Sequence, residues 1–345
     1  MELEKLARPN ILKMMPYSSS RDEFKGEAQV FLDANESPFG KLNRYPDPHQ
    51  ITLKSKIANQ WNVKANEIFI GNGSDEIIDL LFRIFCTPGV DKALSFVPTY
   101  GMYKVSAQLN DVEMVEIPLN KDFDLDESII KKALQERDVK IIFLCSPNNP
   151  TGNILSEECI TRLLKYFDGL VIMDEAYAQF SNQKSWSEKL SDFPNLLVSQ
   201  TFSKAWSLAA ARVGIAFGNP EIIELLTKVK PPYNVSELNQ KAALDILLKS
   251  ARIYQNTLVL KSERKKMIVA LNAYSFVKRV FPTQANFILI SVAKPQKLYQ
   301  FLLQNGIIVR NRSSQIEGCL RISIGTKKEN QTLIKALDRF KKLEK

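Results

Sequence analysis

The chain has 345 residues, of which 45% are hydrophobic and 25% charged, with a formal net charge of +9; this is the balance of a soluble globular protein with room for a large core and a smaller lobe. No apolar run approaches the ~20 residues of a membrane span, the charged start at Met1 is followed by no apolar stretch of a secretory signal, and the single histidine, His49, has no companions that would bind a metal. The basic residues are spread along the chain, with only short groups at 261–266 and 341–345, and no helix-turn-helix, zinc-finger or RNP-like pattern accompanies them. Nucleic acid is therefore not an expected partner, and the charge reads as solvated surface plus a few arginines committed to anionic small molecules. Four cysteines are scattered without a CxxC pair. Cys86, Cys145 and Cys319 sit in or beside apolar segments and read as reduced core residues of a cytoplasmic protein.

In chain order, short apolar runs rich in β-formers predict strands at 68–70, 93–97, 112–117, 141–145, 170–173, 196–200 and 213–217. Helical spacing separates them: Ile77, Leu81, Ile84 and Phe85 recur on one face of 75–86, and 156–167 behaves likewise. Strands alternating with helices, most without strict polar alternation, predict an α/β fold with a mostly parallel sheet covered on both faces. After about Pro220 the pattern changes. A long helical region carries 243–270, and strands at 286–290, 307–310 and 320–324 surround a helix near 296–304, which predicts a smaller α+β lobe.

Four segments carry chemistry. Thr201, Phe202, Ser203 and Lys204 directly follow a predicted strand, and Arg212 lies eight residues beyond the lysine. A lysine that forms a Schiff base needs a fixed position and a partly desolvated pocket that lowers its pKa, while the hydroxyls of Thr201 and Ser203 and the Arg212 guanidinium can clamp a phosphate. Asp174 ends the predicted strand at 170–173, the position where ligands bind in open α/β sheets. A carboxylate there can keep a pyridine nitrogen protonated, with Tyr177 close enough in sequence to reach a ring hydroxyl. Asn149 lies in the Pro- and Gly-rich turn 146–152 after another strand and offers an amide donor. Gly71, Gly73, Ser74 and Asp75 open the helix at 75–86, where backbone N–H groups and the helix dipole favour an anion.

In this order, phosphate cup, turn asparagine, strand-end aspartate and lysine, the segments resemble the fold-type I aminotransferases over nearly the whole chain. The resemblance implies a large domain at 41–250 with a seven-stranded, mostly parallel sheet between helices, and a small domain formed by 1–40 and 251–345. It implies pyridoxal 5'-phosphate as cofactor, held by Gly73, Ser74, Asp75, Tyr100, Asn149, Asp174, Tyr177, Thr201, Ser203, Lys204 and Arg212, with Tyr100 stacking on the ring. Lys204, Asp174 and Tyr177 are then the catalytic set.

The strings around Arg8 to Tyr17, Leu32 to Gly40 and Asn43 to Pro48, with Pro231 to Ser236, Gly306 to Arg310 and Cys319 to Thr326, are similar to one branch, the histidinol-phosphate aminotransferases. That branch moves an amino group between L-histidinol phosphate and 2-oxoglutarate, giving imidazole acetol phosphate and L-glutamate. It implies Arg321 on the carboxylate of glutamate, Arg310 and Tyr17 near the substrate phosphate, and Asn35 and Glu36 along the substrate pocket. Tyr45 would reach the cofactor phosphate of a second subunit, which implies a homodimer. An aromatic amino-acid aminotransferase and a threonine-phosphate decarboxylase are the alternatives, since they share the cofactor residues. One departure stands out: the family commonly has a glycine within the stretch where this chain has Ala209, Ala210 and Ala211, and the added methyl is expected to shift the turn before Arg212 slightly.

Overall fold

The computed structural model describes residues 3–343 except 19, 25, 27 and 28, and leaves aside the side chain of residue 22. The first two residues of the charged start and the last two of the basic tail lie outside the described residues.

One sheet holds β1 (Ile68–Gly71), β2 (Lys92–Val97), β3 (Glu113–Pro118), β4 (Val139–Cys145), β5 (Leu170–Asp174), β6 (Leu196–Thr201) and β7 (Gly214–Gly218). Its order is β1-β7-β6-β5-β4-β2-β3. The neighbours pair in parallel except at β7, which runs antiparallel to both β1 and β6. This is the α/β sheet that the sequence predicts. Strands β1, β5, β6 and β7 are buried along their whole length, and alternate residues serve opposite cores. Val171 and Met173 join one apolar cluster and Leu170 and Ile172 the other, as the two-residue period of a strand requires.

Helices cover both faces, and their ends are written in the sequence. Asp126 and Ser156 cap the helices Glu127–Gln135 and Glu157–Tyr166 by accepting the N–H groups of Ile129 and Cys159. Asn219 caps Pro220–Val229, with proline at the first helical position. The helix Ser74–Phe85 starts from Gly73, carries Asp75 and Glu76 in its first turn and buries Ile77, Leu81, Ile84 and Phe85. Each such side chain contributes about 1.5–3 kcal/mol on burial.

A second sheet, β8 (Val277–Val280), β9 (Phe287–Val292), β10 (Arg310–Asn311) and β11 (Cys319–Ser323), is antiparallel throughout in the order β10-β11-β9-β8. Its core includes Ile288, Ile290, Leu320 and Ile322 with Leu298, Leu302, Leu333 and Leu337 from the helices Pro295–Gln304 and Lys327–Leu343.

Two expectations need correction. The helical region at 243–270 is two helices, Glu237–Leu247 and Ser250–Asn272. The first helix closes in a tightened turn, with the Leu248 and Lys249 N–H groups bonded back to the Leu244 and Ile246 carbonyls, and the second starts in the core of the first sheet at Ile253 before Met267 and Leu271 reach that of the second. The strand expected at 307–310 shrinks to Arg310–Asn311. Gly306 at φ 71 and the Ile307 N–H bonded to the Leu302 carbonyl close the preceding helix instead. The strand Val277–Val280 has no signature in the sequence, because its four residues, Val-Lys-Arg-Val, do not alternate and the register shifts between Val277 and Arg279.

The two sheets are joined by a polar seam. The Gln284 N–H donates to the Gly152 carbonyl (2.7 Å), and the Gln284 side chain accepts from Ser181 Oγ and the Asn182 N–H. Buried Arg264 donates to the carbonyls of Phe180 and Ala285. Gly152, at φ 84, leaves no room for a methyl, since a Cβ there would lie 2.3 Å from Thr283 Oγ1.

Another close approach lies one strand in from the sheet's edge, where Gly214 pairs with Thr201 on one side and Gly71 on the other. A Cβ on Gly214 would come within 2.5 Å of the Gly73 carbonyl carbon and the Ser74 nitrogen. Gly214→Ala is therefore expected to cost about 1–3 kcal/mol as overpacking and to weaken cofactor binding. Thermal denaturation with a cofactor titration tests this, and an unchanged melt with unchanged affinity would contradict it.

Candidate active site

The C-terminal ends of β4, β5 and β6 point the same way, so the residues that follow them meet at one rim. Asp174 is the last residue of β5 and Thr201 the last of β6, while Asn149 lies in the turn beyond β4. They open onto a cavity of about 290 Å³. From the first sheet's loops it is lined by Ser74, Asp75, Tyr100, Asn149, Asp174 and Tyr177, and from the β6–β7 connection by Thr201, Ser203, Lys204 and Arg212. The second lobe adds Arg310, Arg312 and Arg321.

One end of the cavity is a cup. Arg212, at φ 51, reaches Asp75 Oδ2 at 3.1 Å and Ser203 Oγ at 3.4 Å. A Cβ on Gly73 would meet the Arg212 guanidinium at 2.7 Å, so only glycine lets the arginine come this near. The residues Ala209–Ala211 form a 3-10 turn, and the left-handed backbone falls on Ser207 and Arg212 beside them. None of the three alanines has a positive φ, so their methyls fit the turn without strain.

The other end is acidic and deeply buried. Asp174 is 5% exposed; it accepts from Tyr103 Oη at 2.6 Å and from the Ala176 N–H at 3.1 Å. Burial pushes its carboxyl above the usual range, and the Tyr103 hydrogen bond opposes that rise. Tyr103 is itself held by stacking on Phe143, with ring centroids 4.7 Å apart, and by an edge contact with Tyr100. Tyr100 donates to Asp75 at 3.1 Å.

Lys204 sits between the two ends, its Nζ 5.8 Å from the centre of the Tyr177 ring. Burial, then the positive charge of Arg321, lowers its ammonium pKa, which raises the fraction of neutral amine that can act as nucleophile. Asn149 Nδ2 faces Tyr177 Oη at 3.3 Å and its carbonyl oxygen accepts from Arg321. Arg321 also lies over the Phe287 ring at 5.0 Å, and its buried Nε has no partner.

The remaining sequence-derived residues lie apart from this lining. Tyr17 is exposed, Asn35 adopts φ 54, and Glu36 is clamped by Arg21 and Arg44 at 2.7 Å each. With the Tyr45 N–H also donating to it, the Glu36 carboxyl is pulled down to about 2, the bond from Arg44 being the largest cause. Tyr45 stacks on Tyr233 at 4.3 Å and remains half exposed. Within one chain, then, the arm residues do not reach the cavity. Conversely, Tyr103 and Arg312 escaped notice in the sequence. Tyr103 follows Tyr100 by three residues, the spacing of neighbours on a helix face, and Arg312 follows Arg310 by two, the spacing of neighbours on a strand face.

The family described as aminotransferase class I and II matches residues 19–337, and the chain belongs to it. The histidinol-phosphate aminotransferase of Christiangramia forsetii is 50% identical over 99% of this chain and 98% of its own length. The solved structure of the histidinol-phosphate aminotransferase from Clostridium acetobutylicum superposes with a TM-score of 0.81 at 28% identity, covering 87% of this chain and 91% of that one. A third, from Sinorhizobium meliloti in complex with pyridoxal-5'-phosphate, shares the fold with a TM-score of 0.80 at 23% identity over 90% of both chains. Fold-type I and the histidinol-phosphate branch are thus where this chain falls, and pyridoxal 5'-phosphate is the cofactor of such enzymes. The cavity fits that group. It offers a glycine-lined cup with hydroxyls and a guanidinium for a phosphate, a buried carboxylate for a ring nitrogen, and a lysine of lowered basicity between them.

Two outcomes follow from the Asp174–Tyr103 pair. A carboxyl whose pKa is raised by folding binds protons more tightly in the native state, so its ionisation destabilises the cofactor-free protein as pH climbs above the ordinary aspartate range. Cofactor-free Asp174→Asn should melt higher than the wild type at neutral pH, with the gap closing in acid, although its activity is lost; the reverse order would contradict the reading. Tyr103→Phe removes one hydrogen bond to a charged group and should weaken cofactor affinity roughly 10- to 100-fold, measured by fluorescence titration.

Proposed function

We propose that the protein catalyses the reversible transfer of the amino group between L-histidinol phosphate and 2-oxoglutarate, giving imidazole acetol phosphate and L-glutamate. The observation that carries this reading is the meeting, in one cavity, of Lys204 and buried Asp174 with a wall of arginines from the second lobe. Such a wall suits the two anions, a carboxylate and a phosphate, that the two half-reactions bring in turn. The relative at 50% identity supports the same substrate. The aromatic-aminotransferase and decarboxylase alternatives are not favoured.

Bound pyridoxal phosphate supplies an electron sink that acidifies the C–H bond next to the substrate nitrogen. The chain's own residues do the rest. Ser74, Thr201, Ser203 and Arg212, with backbone groups at Gly73, would hold the cofactor phosphate. Asp174 would keep the proton on the ring nitrogen, Tyr100 would cover the ring face, and Tyr177 with Asn149 would donate to the ring oxygen. Lys204 Nζ both retains the cofactor and carries the substrate's proton, acting as base and then as acid. Arg321 would grip the glutamate carboxylate.

We further infer a cytoplasmic homodimer. The arm that precedes the first sheet leaves Leu32 at 91% and Phe39 at 83% exposure, an apolar strip that a second copy would bury. Tyr45 would then reach the cofactor phosphate of the partner's cavity, and Tyr17, Asn35 and Glu36 would line the substrate pocket once the arm is packed in the dimer. Among the described residues no helix is long and apolar enough to cross a membrane. The large domain would be 41–250 and the small one 1–40 with 251–345; the separate apolar cluster of the C-terminal lobe supports the latter part of that division, whereas Leu6, Ala7 and Ile11 of the arm pack into the core of the first sheet.

Purified protein should show the visible absorbance of lysine-bound cofactor, and Lys204→Ala should abolish it together with about 10³-fold or more of the turnover. Half-reactions followed by that absorbance rank histidinol phosphate against phenylalanine, tyrosine and threonine phosphate. Conversion by an aromatic amino acid but not by histidinol phosphate would refute the assignment. Sedimentation should give a dimer, and Leu32→Glu with Phe39→Glu should yield monomers with little activity.

A further inference from the structure

Three guanidiniums stand on one wall of the cavity. Arg310 and Arg321 are direct cross-strand partners in β10 and β11, and Arg312 lies two residues beyond Arg310. All three line the cavity. Arg321 is already engaged, donating to Asn149. Arg312 is not matched in this way. Its NH1 group reaches only Gln315 Oε1 on its own turn, at 3.2 Å, and its Nε is out of solvent with no partner. Among the described residues no carboxylate pairs with Arg312 or Arg310.

This arrangement is unfavourable in the empty protein. Burial, then Arg321 and Arg310, push the Arg312 pKa down to about 10. Like charges held close with an unpaired buried donor persist where an anion relieves them. A carboxylate carries one charge and is satisfied by a single arginine fork. A phosphate monoester carries nearly two charges and three acceptor oxygens, so it can engage two guanidiniums at once.

We propose that Arg312 is a specificity-determining residue that, together with Arg310, binds the phosphate of the amino-group substrate and sets the preference for phosphorylated over unphosphorylated amines. This rests on the reading of the cavity given above and extends it by one residue. Arg321 then serves the carboxylate of the second substrate, and the wall divides its work between a phosphate pair and a carboxylate fork.

The test compares the wild type with Arg312→Gln and Arg312→Lys, each loaded with cofactor and checked for the same visible absorbance. The half-reaction with histidinol phosphate is measured against that with histidinol, its phosphate-free analogue. In Arg312→Gln the phosphate-to-alcohol ratio of kcat/KM should fall roughly 10- to 100-fold, the value of one charge-assisted hydrogen bond. The loss should lie mainly in KM, and Arg312→Lys should recover part of it. Equal losses with both amines would overturn the proposal. Inorganic phosphate provides an arm that does not depend on the substrate's identity. It should inhibit the wild-type glutamate half-reaction competitively and inhibit Arg312→Gln about tenfold more weakly; an unchanged inhibition constant would also overturn it. If the wild type converted no histidinol phosphate while phosphate inhibition still depended on Arg312, the substrate assignment would fail and the role of Arg312 would stand.

Discussion

The cavity depends on one close contact between backbones. Strand β7 runs against its neighbours, and that reversal brings Gly214 between the end of β6 and the turn that starts the helix Ser74–Phe85. Because nothing projects from Gly214 or Gly73, the β6–β7 connection can fold back over the helix N-terminus. Lys204 and Arg212 both ride on that connection. A parallel β7 would start at the opposite end of the sheet after a long crossover, and Arg212, two residues before it, would lie a strand's length from Lys204. The antiparallel strand therefore does chemical work although it carries no reactive group.

Charge is distributed along the cavity as a gradient of obligation. Arg212 has Asp75 as partner, Arg321 has Asn149, and Arg312 has only a glutamine of its own turn. The anions that enter complete the sequence. Asp174 is the opposite case, a carboxylate buried at a cost that a protonated ring nitrogen offsets. Both ends of the cavity therefore gain stability when a ligand of matching charge binds.

Much of the sheet was legible in the sequence because its strands are buried on both faces and stand as apolar runs between capped helices. The predicted strands at 141–145, 170–173 and 196–200 coincide with β4, β5 and β6 to within two residues at either end, and these carry the catalytic loops. The rest failed to show for other reasons. The break after Leu247 is a single tightened turn at Leu248 and Lys249, too brief to interrupt the periodicity, and the change of core falls later, between Ile253 and Met267. The shortening of β10 reflects the competing closure of a helix by Gly306. In the cavity, residues at strand ends and glycine turns were readable from their neighbours in sequence. Tyr103 was not, because its role is to touch Asp174 from a helix 71 residues away in sequence.

The seam through Gly152, Gln284 and Arg264 has a mechanical consequence. It ties the second lobe to the first beneath the cavity, next to the turn that carries Asn149, with hydrogen bonds of 2.7–3.3 Å. A relative movement of the two lobes would have to break or pivot about these bonds, so the seam is where the lobes resist separation. Arg321, bonded to Asn149 in the turn that also holds Gly152, is the arginine of the wall fastened to that seam, whereas Arg312 bonds only within its own turn.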